Sequence, residues 1–122
     1  MTRDERGMSS SVQLSLLFPM IIGLFLLTLQ WAMYAWGEAT AKAAAEDAAR
    51  TAAVYGSSAA AGQAVALAAA NNDSLADVTA QVQRGATTTT ARVKGKALAV
   101  VPLFPTAIHA TASVPTERIT ES

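Results

Sequence analysis

The stretch LSLLFPMIIGLFLLTLQWAMYAW, Leu14–Trp36, decides how the rest of this chain is read. It is apolar at almost every position, and no charged residue occurs from Gly7 through Gly37. As a helix it would measure ~35 Å at ~1.5 Å per residue, enough to cross a hydrocarbon core of ~30 Å. A secretory signal would carry an apolar region of roughly 7–15 residues with a small-x-small site close behind it. This run is longer, and the only tempting site, Ala39-Thr40-Ala41, lies where helical sequence continues. The reading is a transmembrane helix. Its competitor is a cleaved, secreted chain starting near Lys42.

Working outward, Arg3 and Arg6 stand just before the apolar run. Lys42 and Arg50 follow at greater distance, among Glu38, Glu46 and Asp47. The excess of Lys and Arg on cytoplasmic flanks places the N-terminus in the cytoplasm and the C-terminal region outside it. Trp31, Tyr34 and Trp36 cluster where the run ends and form an interfacial aromatic belt. Thr28 and Gln30 lie within a turn of that belt, at a depth water or headgroups reach.

The helix does not stop at the membrane. In GEATAKAAAEDAARTAAVYG, Glu38, Lys42, Glu46 and Arg50 recur every four residues as one solvated stripe. The pairs Glu38/Lys42 and Glu46/Arg50 have the acid first, the better order, worth ~0.2–0.5 kcal/mol each. The opposite side is nearly all alanine, the best helix former and a face that another element can approach closely. One helix is expected from Met8 to about Tyr55, with Gly56 as its stop. A second, shorter helix is expected over 57–72, capped by Ser57 or Ser58 and ending near Asn71-Asn72.

Beyond Asp73 the period changes from helical to two. Val78, Ala80 and Val82 alternate with Thr79, Gln81 and Gln83, and Arg84-Gly85 signals a turn. Ala91, Val93, Gly95 and Ala97 oppose Arg92, Lys94 and Lys96. Pro102 and Pro105 end that strand, since neither donates to a ladder. Ile108, Ala110, Ala112 and Val114 then oppose His109, Thr111 and Ser113. Three strands with short connections predict a one-sided antiparallel meander, whose apolar face would pack on the alanine face of the long helix.

Chemistry is hard to find in this composition. Nine basic residues balance nine acidic ones, so no electrostatic footprint for nucleic acid follows. There is no cysteine, and the single histidine, His109, falls on the polar face of a strand without a second ligand nearby in sequence. Serines and threonines lack a base to activate them, and no glycine-rich phosphate loop follows a strand. The expectation is a non-enzymatic protein with no cofactor, metal or small-molecule substrate.

The opening RGMSSSVQLSLLFP supplies a more specific signal. A basic residue, a glycine, small residues, then valine, an amide, apolar residues and a proline at the head of a membrane helix resemble the start of TadE-like proteins. Those proteins belong to tight-adherence (Flp) pilus systems, within the type IV pilin-like world. The alanine-rich EATAKAAAEDAARTAAV is similar to the family's emergent helix. The tail ARVKGKALAVVPLFPTAIHATASVPTERI is similar to its closing pattern, with a strand, a Val-Pro break and an alternating T-A-S strand near an E-R pair. Together the likeness spans most of residues 6–119.

The resemblance implies cleavage between Gly7 and Met8 by a prepilin peptidase, with the leader left in the cytoplasm. It implies assembly with other pilins or pseudopilins and the pilus machinery through Gln13 and Pro19. The chain departs from the family at Gln13, where members carry a glutamate, and its spacing from Gly7 is one residue longer. A glutamine accepts hydrogen bonds but brings no charge to a neighbour's N-terminal amine.

The expected fold is therefore α+β, membrane-anchored and pilin-like. A long transmembrane-plus-emergent helix is followed by a short second helix and a small antiparallel β-meander packed on the long one. The divisions are a cytoplasmic leader (1–7), a transmembrane helix (8–37), an extracytoplasmic alanine-rich helical region (38–72) and a small β-rich region (73–122). The expected function is that of a minor pilin or pseudopilin in assembly of a tight-adherence pilus, with placement in a surface pilus. The alternative is a single-pass anchored interaction protein that is neither processed nor polymerised.

Overall fold

The computed structural model describes the backbone of residues 3–54 and 56–117, with side chains from residue 11 onward. Tyr55, the tail from Arg118, and the side chains of Gly7 and Met8 lie outside the described residues. Five elements follow one another: helix α1 (Arg3–Ala53), helix α2 (Ala59–Ala69) and strands β1 (Leu75–Arg84), β2 (Thr88–Ala97) and β3 (Ala107–Pro115). The architecture is α+β, as expected from the change of period along the chain.

Helix α1 holds 51 residues, ~76 Å at ~1.5 Å each. It begins earlier than expected, so helical backbone already runs from Arg3 and continues through Pro19. Its end comes at Ala53, slightly early. Gly56, at φ +82, then turns the chain in the left-handed region that glycine enters at no steric cost. The Arg84 side chain caps the last turn, donating from Nε to the Ala52 carbonyl (2.8 Å) and from Nη2 to that of Val54 (3.4 Å). The Glu117 amide donates to the Ala53 carbonyl (2.7 Å).

Helix α2 is shorter than expected, and of the two candidate caps Ser58 is the one used. Its hydroxyl accepts from the Ala61 amide. Asn72 then ties the next turn to α1. Its Nδ2 donates to Thr40 Oγ1 (2.9 Å) while its Oδ1 accepts from the Ser74 amide (3.0 Å). Asp73 in this turn has φ 65, a conformation that aspartate tolerates well.

The sheet is an antiparallel meander in the order β1-β2-β3. Strand β1 starts at Leu75, three residues before the alternation that begins at Val78. Its register shifts between Ala76 and Thr79, where Asp77 and Val78 stand against a single position of β2. Asp77 adopts φ 53 there. This β-bulge changes the parity of the strand, so that Leu75 and the later series Val78, Ala80 and Val82 all turn toward the helices.

One thin core joins these layers. Ala41, Ala44, Ala45, Ala48 and Ala49 of α1 are fully buried against Ala66 of α2, its C-cap Ala70, and Leu75, Ala91, Val93 and Ile108 of the sheet. Alanines bury little area, but they let backbones come close. A Cβ added at Gly62 would sit 2.7 Å from the Ala48 carbonyl oxygen. The charged stripe faces away. Arg50 lies 3.7 Å from Glu46 and 3.6 Å from Asp47 at the surface, whereas Glu38 and Lys42 form no ion pair. Exposed pairs of this kind contribute ~0–1 kcal/mol, so the alanine face governs the packing.

Candidate functional site

Helix α1 has two halves with opposite surroundings. From Thr40 onward one side is buried under α2 and the sheet, while residues 11–29 include no buried residue and expose Leu, Ile, Phe and Met. A helix apolar on every side belongs in lipid or against apolar partners. The span is long and apolar enough to cross a membrane.

Gln13 and Pro19 both lie on this exposed half, six positions apart, and neither is covered by the chain's own domain. Pro19 lacks the N–H that would bond the Ser15 carbonyl and so weakens the helix ladder one turn above Gln13. Leu14, Ser15, Phe18 and Pro19 line a shallow apolar hollow beside this point. A passing partner or lipid can therefore reach both residues.

At the other end of the run the aromatic residues divide. Trp31 and Trp36 are largely exposed. Tyr34 is half-buried; its hydroxyl donates to the Ala107 carbonyl at 3.4 Å. Phe104 of the β2–β3 loop closes on them, its ring centroid 5.6 Å from Trp31 and 6.3 Å from Tyr34 in edge-on contacts. With Pro105 these rings line an apolar hollow of about 280 Å³. So this aromatic cluster is in part a docking surface for the protein's own loop.

Gln30 departs from the sequence reading. Instead of meeting water or headgroups it is fully buried. Its Nε2 donates to the Leu98 carbonyl (2.9 Å), and its Oε1 accepts from the amides of Val100 (2.7 Å) and Val101 (3.1 Å). One carboxamide thus satisfies three backbone groups of the loop after β2. Its only sequence signal was a polar residue inside an apolar run. Thr28 does face outward and bonds back to the Leu24 carbonyl within α1 (2.9 Å).

His109 is exposed on β3 across from Lys94. Among the described residues there is no cluster of His, Cys, Asp or Glu able to hold a metal ion. The polar outer face of the sheet carries a small depression lined by Gln81, Gln83, Thr90 and Arg92, without a nucleophile and base pair. What the geometry can do is present an apolar helix at one end and a compact cap at the other.

Comparison with known proteins yields one finding. The family model described as "TadE-like protein" matches residues 8–50, the exposed half of α1 and most of its alanine face. The match ends before α2 and the sheet. No curated protein and no solved structure matches the chain.

Proposed function

We propose that this TadE-like chain acts as a minor pilin or pseudopilin, taking part in assembly of a tight-adherence pilus through its N-terminal helix. The family implies involvement in such pilus systems and a structural, non-enzymatic kind of protein. The observation that carries the finer reading is the bare half of α1. None of residues 11–29 is buried by the rest of the chain, and this segment lies inside the family match.

In this reading residues 1–7 are a cytoplasmic leader and 8–37 a membrane helix. Residues 38–122 form the extracytoplasmic cap. A prepilin peptidase cuts between Gly7 and Met8, and the freed helix later leaves the bilayer to pack against other pilins. Pro19 supports this use, because a loosened turn eases repacking of the helix among partners at a tolerable cost in lipid. Gln13 supports contact through hydrogen bonds, without the charge that a glutamate would contribute. That same missing charge favours a second reading, in which the protein is a single-pass anchor that is neither processed nor polymerised.

Substitution separates the two. Pro19→Leu and Gln13→Leu are expected to lower piliation at least several-fold while the protein still fractionates with the membrane. Normal piliation with both variants would refute the assembly role and leave the anchor.

A further inference from the structure

The β2–β3 loop is the part of the sheet that reaches back along the apolar half of α1. At the base of the sheet, Ile108 lies over Gly37, where an added Cβ would be 2.8 Å from its Cδ1. The backbone of Leu98, Val100 and Val101 is instead held by Gln30, seven positions earlier in the helix, or ~10 Å along its axis. No Asp, Glu, Lys or Arg occurs from Ala97 to Ile108. Leu98 and Val100 are exposed, and Leu103, at φ 66, stands out of the fold at 102% exposure.

We propose that the loop from Leu98 to Pro105 is a second membrane contact, seated in the interfacial layer on the side where α1 emerges. The inference rests on the reading of α1 as a membrane span. Counted from Leu14, the ~20 residues that cover a ~30 Å hydrocarbon core end near Met33, which puts Gln30, Trp31 and Tyr34 about its outer boundary. Whatever docks on those three residues lies at the same depth. There, backbone groups without partners are costly. Gln30 satisfies three of them, the Ala97 amide bonds the Thr106 carbonyl (2.9 Å) and the Phe104 amide that of Val101 (3.5 Å). Lipid is the favoured occupant because the apolar surface of the loop is continuous with that of the span and offers no charge for a protein partner to read. Two contacts, helix and loop, would fix the tilt and rotation of the cap above the bilayer.

The chain has no cysteine, so single-cysteine variants can be labelled cleanly. Leu103→Cys, Phe25→Cys in the apolar half of α1 and Ala86→Cys at the opposite hairpin would each carry an environment-sensitive nitrobenzoxadiazole. The full chain would be placed in phosphatidylcholine–phosphatidylglycerol vesicles at high dilution, with brominated lipids or aqueous iodide as quenchers. The expected result is blue-shifted emission, lipid quenching and several-fold weaker iodide quenching at residues 103 and 25 than at 86. Iodide quenching of residue 103 equal to that of 86, with 25 still in lipid, overturns the loop contact and leaves the span. Iodide access at all three overturns both. Protection of residue 103 that vanishes on dilution would assign the loop to a neighbouring subunit and overturn the lipid contact.

Discussion

Gln30 shows how much one side chain can decide. It is a carboxamide at the end of an apolar run, and it replaces water for two amides and one carbonyl of a loop nearly seventy residues away. Replacing it with leucine keeps the volume but strands all three groups. With ~1–3 kcal/mol for each buried group left unpaired, Gln30→Leu is expected to cost about 3 kcal/mol or more. Denaturant unfolding of the detergent-solubilised protein, followed by tryptophan fluorescence, measures it; an unchanged midpoint would mean that water or detergent serves the loop equally well. The role of Gln30 was not legible in the sequence for a physical reason. A polar residue near a membrane boundary has the same local pattern whether it faces headgroups or a distant strand end. Arg84 was missed similarly, since it reads as a turn residue and acts as a cap on a helix that ended thirty positions before.

Among the elements, what repeats could be read and what interrupts the repeat could not. The alanine face of α1 and the alternation in β2 and β3 follow from local periods, and both occur as expected. The bulge at Asp77 and Val78 interrupts the period of β1, so the inward-facing Leu75 falls out of phase with Val78 and was not assigned to the strand. The α1–α2 contact is a further consequence of small residues. Gly62 lies so close to α1 that any side chain there meets the Ala48 carbonyl oxygen at 2.7 Å and the Ala52 Cβ at 2.8 Å. Gly62→Val gains a few tenths of a kcal/mol in helix propensity and loses more to overpacking, for which ~1–3 kcal/mol is typical. The expected outcome is a net loss of stability, seen as a lower thermal midpoint in circular dichroism. An unchanged or higher midpoint would show that α2 shifts without cost.

For the molecule as a whole, the two halves of α1 divide the work. The C-terminal half organises a cap whose core is mostly alanine, while the apolar half is left exposed. The apolar span and the likeness to TadE-like proteins were both legible from residues 8–50, because long apolar length and a short motif are local properties. Orientation and processing depend on an enzyme and a bilayer outside the chain. In the proposed reading, processing turns on one peptide bond, between Gly7 and Met8. The most direct measurement is therefore the N-terminus of the protein recovered from cells with and without the system's prepilin peptidase. The expected result is a start at Met8 that depends on the peptidase. An intact Met1 in both strains would contradict it and leave an unprocessed anchor.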